Sequence, residues 1–160
     1  LTNRKLDRFE SPLGRAKKTN MSEPKQQPFV WQVRVYYEDT DAGGVVYHAN
    51  YLNFFERART EFLRARGIHQ ETLRHEHNLI WVVLDVQVHF RQAAKMDDEL
   101  QVTAEPTWVK GVRVGFQQRI SRRADGMEVA TAELSVAMLH ADSLKPARMP
   151  AWLQSELKNG

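Results

Sequence analysis

Between residues 29 and 67 the apolar side chains change their spacing once, at the glycine pair Gly43-Gly44. Before it, Val30, Trp31, Val33, Val35 and Tyr37 make a β-branched and aromatic run that predicts a first strand over residues 29–37, ended by a turn at residues 38–44. After it, Tyr51, Phe54, Phe55, Ala58, Phe62 and Ala65 recur at three- and four-residue steps, with Arg57, Glu61 and Arg64 between them, until Gly67 supplies a stop. That spacing predicts one helix of roughly 16 residues. Its many aromatics predict that other elements wrap around it.

A second, short helix is predicted over Gln70–His77, where good helix formers cluster. Ile80, Val82, Leu84, Val86, Val88 and Phe90 then alternate with Trp81, Val83, Asp85, Gln87, His89 and Arg91, a long period-two signal. Further strands are predicted over Glu99–Lys110, over residues 112–120 after a turn at Gly111, and over Glu128–His140 after the Asp125-Gly126 turn. A helical turn is expected at residues 151–157. Short connections imply antiparallel neighbours, so the expected fold class is α+β, one curved sheet enclosing one helix. The strands at 112–120 and 128–140 are expected to leave an edge or face that a second subunit covers.

Charge is distributed unevenly. The chain of 160 residues carries a formal net charge of +3, yet residues 1–20 hold six Lys/Arg and two Asp/Glu, leaving 17 basic and 18 acidic groups in residues 21–160. The basicity therefore belongs to the N-terminal stretch and argues against a nucleic-acid-binding domain. Residues 1–28, with Pro12, Pro24 and Pro28 and no apolar periodicity, read as a disordered arm preceding a domain at 29–160. Met21 is a candidate natural start, and residues 1–20 are expected to be dispensable for catalysis. Absence of cysteine excludes a thiol nucleophile, disulfides and Cys-ligated metal sites. With no run of about 18 apolar residues, a soluble cytoplasmic protein is expected.

The chemistry-bearing stretch is Tyr36 to Tyr51, where Asp39 and Asp41 sit on the glycine turn that leads into the helix. A carboxylate there lies close to unpaired helix N–H donors and the positive end of the helix dipole, which makes Asp41 the candidate reactive group. Its plain alternative is a helix N-cap. Asp39 reads as a turn-forming or solvated acid. Glu56 reads as a salt-bridge partner of Arg57 or Arg59. His69, His75, His77, His89 and His140 lack metal-ligand spacing. Neither a Gly-x-Ser-x-Gly elbow nor a phosphate-binding glycine loop occurs.

The block VRVYYEDTDAGGVVYHANY over residues 33–51, followed by Phe54-Phe55-Glu56-Arg57-Ala58-Arg59-Thr60-Glu61, resembles the hotdog-fold thioesterases of the 4-hydroxybenzoyl-CoA thioesterase superfamily, in their Tol-Pal-associated acyl-CoA thioesterase (YbgC-type) branch. Weaker similarity runs through the Asp97-Asp98 turn to about Pro150. The resemblance implies a curved antiparallel sheet around a long central helix, and hydrolysis of acyl-CoA or acyl carrier protein thioesters. It also implies no metal or redox cofactor, and a homodimer or homotetramer with the site at the subunit interface. Asp41 becomes the nucleophile or general base and His48 a catalytic or positioning residue. Gly44, Val46, Tyr47 and Tyr51 become the oxyanion and substrate-binding set, with Tyr47-His48 matching the segment that supplies the backbone donor. Arg91, Lys95, Lys110 and Arg113 are candidate contacts for the CoA phosphates. The rival inside the fold is a non-hydrolytic acyl-thioester-binding or dehydratase-like protein. The rival outside it is a nucleic-acid or membrane-surface module using the basic arm.

Overall fold

The computed structural model describes residues 27–159; nearly all of the arm, with Met21, lies outside the described residues. In chain order come β1 (Phe29–Arg34), a 3₁₀ turn (Tyr37–Asp39), α1 (Asn50–Arg64), α2 (Gln70–His77), β2 (Leu79–Phe90), β3 (Glu99–Lys110), β4 (Arg113–Arg122), β5 (Glu128–His140) and α3 (Ala151–Lys158). All five strands join one antiparallel sheet in the order β1-β3-β4-β5-β2. This is the expected α+β hotdog arrangement. No helix among the described residues is long and apolar enough to cross a membrane.

The helical spacing has the expected consequence. Tyr51, Phe54, Phe55, Ala58, Phe62 and Leu63 form the buried face of α1. Phe62 meets Phe29 and Phe116 edge-on at centroid distances of 6.0 and 5.9 Å. Each such buried side chain contributes about 1.5–3 kcal/mol through removal of apolar area from water. Leu52, Asn53, Glu56 and Arg57 stay exposed, so one chain covers only one face of the helix. Gly67, at φ +73°, ends α1 in the left-handed region, where the N–H of Ile68 reaches Leu63 O at 3.0 Å. Buried Gln118 ties helix to sheet: its Nε2 donates to Phe55 O and Thr103 O, both at 3.0 Å, while its Oε1 accepts from Arg59 at 2.8 Å.

Four details depart from the sequence reading. The first strand ends at Arg34 rather than at residue 37, because β3, its partner, begins at Glu99 opposite Arg34. Asp39 Oδ2 instead accepts the Tyr36 N–H at 2.8 Å and closes the 3₁₀ turn, a local bond that competes with strand pairing. Secondly, β2 and β3 are not neighbours. Residues 91–98 can span up to about 28 Å when extended, which exceeds the three strand spacings, roughly 14 Å, that separate them. Thirdly, β4 and β5 are interior strands, so the expectation that they leave a sheet edge is corrected: the edges are β1 and β2. Finally, a bulge between Val83 and Asp85 reverses the alternation of β2. Trp81 and Val83 thereby share a face with Val86, Val88 and Phe90, opposite the buried row Ala130, Ala132, Leu134, Val136 and Met138 of β5. The segment after Pro150 is a full helix, held by buried Leu153 and Leu157.

Candidate active site

The segment between the 3₁₀ turn and α1 is a tight hairpin. Thr40 bridges Val46, and the N–H of Asp41 donates to Val45 O at 2.9 Å while that of Gly44 returns to Asp41 O at 3.0 Å. Gly44 takes φ +75°, which a residue bearing Cβ adopts only with strain. Gly43 is needed for a different reason. Its N–H donates to Asp41 Oδ1 at 2.8 Å, and a Cβ on it would stand 3.0 Å from that oxygen. The hairpin thus presents an exposed Asp41 with one carboxylate oxygen oriented by the backbone; the other has no hydrogen-bond partner among the described residues.

The N-cap alternative for Asp41 fails on geometry. The N-cap of α1 is Ala49, and no side chain caps the helix. Asp39 has a scaffold role, its carbonyl accepting the Tyr47 N–H at 2.8 Å and Asn50 Nδ2 at 3.0 Å. Both side chains form turns, Asp39 by accepting the Tyr36 N–H and Asp41 by accepting the Gly43 N–H. Glu56 forms no ion pair within 4 Å among the described residues; its carboxylate accepts the Thr60 hydroxyl at 2.6 Å.

Backbone donors sort cleanly. The N–H of Gly44 is engaged by Asp41 O, that of Val46 by Ala94 O at 2.8 Å, and that of Tyr47 by Asp39 O. Among the described residues, those of His48 and Ala49 have no acceptor, and they stand at the positive end of α1. The three engaged donors are therefore not free to meet an oxyanion, and within the Tyr47-His48 segment that the sequence singled out, the open N–H is that of His48. Its exposed ring lies 4.6 Å from the Tyr47 ring, centroid to centroid. Tyr51 also turns away from solvent, only 4 % exposed, with its hydroxyl accepting the Ala94 N–H at 3.1 Å. Burial pushes the Tyr51 phenol above its ordinary pKa. That geometry makes it a brace rather than a ligand contact.

The sequence reading named Arg91, Lys95 and the Asp97-Asp98 turn in residues 91–98 but gave that segment no part in holding the hairpin. Ala94 grips Val46 through its carbonyl and Tyr51 through its N–H, and Met96 joins Tyr37, Thr40, Asp41, Ala42 and Gly44 in lining an open cleft around the carboxylate. Arg122 pins the segment from β4: Nε donates to Asp98 at 3.2 Å, one terminal nitrogen to Asp125 at 2.9 Å and the other to Ala93 O at 2.9 Å. The Asp125 bond and the neighbouring carboxylates hold the Arg122 guanidinium above its ordinary pKa. Asp97, at φ +70°, is half of the Asp97-Asp98 turn that the sequence showed. Arg122→Met is expected to lower stability by about 2 kcal/mol in urea denaturation, because hydrogen bonds to charged groups are worth roughly 1.5–3 kcal/mol and solvent screens part of that here. A variant as stable as wild type would show that the segment is held without it.

Of the candidate phosphate contacts, Arg91 and Lys95 lie in this segment, whereas Lys110 and Arg113 sit at the β3–β4 hairpin, the far end of the strands from Glu99. A strand of that length measures roughly 35 Å, so within one chain the two pairs cannot serve the same site. Among the described residues no group of three His, Asp or Glu is placed to hold a metal ion.

Comparison with known proteins matches residues 35–157 to the thioesterase-like superfamily. The chain is 48% identical over 122 residues to an acyl-CoA thioesterase YbgC of Haemophilus influenzae, covering 76% of this chain and 88% of the relative. It is 42% identical over 130 residues to the acyl-CoA thioester hydrolase YbgC of Escherichia coli, covering 81% and 96%. A probable thioesterase structure from Bartonella henselae superposes with a TM-score of 0.73 at 35% identity, covering 78% of this chain and 100% of that one. A 1,4-dihydroxy-2-naphthoyl-CoA thioesterase from Synechocystis shares the fold at a TM-score of 0.77 and 21% identity, covering 83% and 97%. The hairpin carboxylate, the uncapped central helix and the strands β2 to β5 fall within the matched span, and the chain belongs to the thioesterase-like superfamily.

Proposed function

We propose that this protein hydrolyses acyl-CoA thioesters, with Asp41 as nucleophile or general base and the His48 N–H as oxyanion donor. The observation that carries the reading is the hairpin, which holds an exposed carboxylate at one end and delivers an unengaged N–H at the start of α1 at the other. As the thioester carbonyl becomes tetrahedral, negative charge collects on its oxygen, where a fixed N–H and the helix dipole stabilise it. Either Asp41 Oδ2 attacks, expelling the CoA thiolate to leave a mixed anhydride that water opens, or Asp41 takes a proton from the water that attacks. In both routes the products are a carboxylic acid and the CoA thiol. Thiol release from a panel of short, long and aromatic acyl-CoAs tests the activity; no release from any of them would favour the non-hydrolytic rival. In a single turnover in H₂¹⁸O, label on Asp41 marks the anhydride route opened at the Asp41 carbonyl, since the general-base route delivers all of the label to the acid product. The same chemistry acts on acyl carrier protein thioesters, and a cytoplasmic location fits such substrates.

Assembly is part of this reading. β2 is a sheet edge of 12 residues on which Val83, Leu84, Val86 and Phe90 are 41–54% exposed. Outside the bulge at Val83–Asp85, this long edge with exposed apolar side chains invites strand pairing, so a second copy is the proposed cover. Leu84→Lys combined with Gln87→Lys puts like charges on that edge. It is expected to give monomers in sedimentation at micromolar concentration, with turnover reduced tenfold or more. A fully active monomer would place the whole site within one chain.

A further inference from the structure

The two backbone donors left open at the start of α1, those of His48 and Ala49, sit on a turn whose two ends are tied to one oxygen. The Asn50 N–H donates to Tyr47 O at 2.8 Å and closes the turn, with His48 and Ala49 at its centre. At one end the Tyr47 N–H donates to Asp39 O at 2.8 Å. At the other the Asn50 side chain donates to the same carbonyl, its Nδ2 standing 3.0 Å away. A carbonyl oxygen has two lone pairs and can accept both. The Asn50 amide is itself oriented, because its Oδ1 accepts Asn53 Nδ2 at 3.1 Å and so leaves Nδ2 to Asp39. Asp39 is held in turn, its carboxylate accepting the Tyr36 N–H at 2.8 Å. With no side-chain cap on α1, Asn50 supplies the side-chain hydrogen bond that ties residues 47–50 to the hairpin among the described residues. Asp39 lies two positions before Asp41, so the carboxylate-bearing hairpin and the donor-bearing turn meet at Asp39 O.

We propose that Asn50 is a positioning residue for the oxyanion donor: by gripping Asp39 O from the helix side, it fixes the direction of the His48 N–H relative to the hairpin that carries Asp41. The inference rests on the thioesterase reading for what that donor meets. A donor lowers the barrier only if it is already aimed where charge develops, and losing one outright costs about 10²–10³ in rate. Loosening it should therefore cost somewhat less. Asn50→Ala is the test, since alanine is the best helix former and lets α1 keep its start; Asn50→Ser replaces it should that variant unfold by circular dichroism. For the acyl-CoA that wild type hydrolyses fastest, kcat is expected to fall about 30- to 100-fold. KM, and the Kd of the matching non-hydrolysable thioether, which has no carbonyl for the donor to meet, should stay within about threefold of wild type. Asn50→Gln keeps an amide able to reach Asp39 O and should return kcat to within about tenfold. Amide hydrogen exchange at Tyr47, the other end of the clamp, is expected to quicken at least about tenfold in Asn50→Ala, while the buried helix amides of Phe54 and Phe55 hold their rates. A kcat within threefold of wild type in Asn50→Ala would overturn the proposal, as would equal losses in kcat and in thioether binding, which would make Asn50 a general support of the fold. An unchanged exchange rate at Tyr47 would overturn it whether or not any thioester is hydrolysed. Quickened exchange in a protein whose wild type hydrolyses no acyl-CoA would leave the clamp standing and count against the thioesterase reading alone.

Discussion

Asp41→Asn is expected to abolish at least 99.9% of acyl-CoA turnover, about three powers of ten or 4 kcal/mol of transition-state stabilisation, while the protein melts as wild type does. The side chain is exposed, and an asparagine oxygen can still accept the Gly43 N–H, so hairpin geometry has no reason to change. What disappears is the anionic oxygen needed either to attack or to take a proton, and an amide does neither. KM should move little, because the bond lost exists only as the reaction proceeds. Turnover within threefold of wild type would remove Asp41 from the mechanism, and it would shift attention to Glu56, an exposed carboxylate of α1 that lines a pocket beside Arg59 and Trp81.

Phe62→Ala should produce the largest loss of stability. Phe62 is 1% exposed, meets Phe29 and Phe116 edge-on, and carries the Arg66 guanidinium 3.8 Å above its ring. Truncating a buried phenylalanine costs about 3–5 kcal/mol through lost transfer energy and the cavity left behind. Domains of this kind hold only about 5–15 kcal/mol in total. The variant should therefore unfold at a markedly lower urea concentration, measured at fixed protein concentration because any self-association adds to apparent stability. A cost below about 1 kcal/mol would mean that neighbouring side chains collapse into the gap, and that the three aromatic rings are not the seam between helix and sheet.

How far the sequence could be read depended on whether a feature was local. Helix α2, strand β3 and strand β5 emerged with their observed limits, since each is a periodic run closed by its own turn residues. Gly67, Gly111 and Gly126 all adopt positive φ where turns were expected. Strand β1 was overextended because its end is set by where β3 begins and by the Asp39 carboxylate, neither visible in a run of β-branched residues. The reversal of β2 at Val83 likewise depends on its pairing with β5. In the site, residue type and the glycine turn marked Asp41. Which backbone N–H groups remain open was not legible, because Val46 is occupied by Ala94, a residue nearly fifty positions away whose own place depends on Arg122.

Taken alone, the amino-acid sequence determined the types of the elements, the class of fold and the family, and marked Asp41 as the candidate carboxylate, because periodicity, turn chemistry and a long contiguous motif are properties of neighbouring residues. The tertiary structure alone decided the strand order, the two sheet edges, and which N–H groups at the start of α1 stay open, those of His48 and Ala49. Those depend on which distant segments come into contact. A hydrogen bond is satisfied or left open only once every element competing for it has been placed.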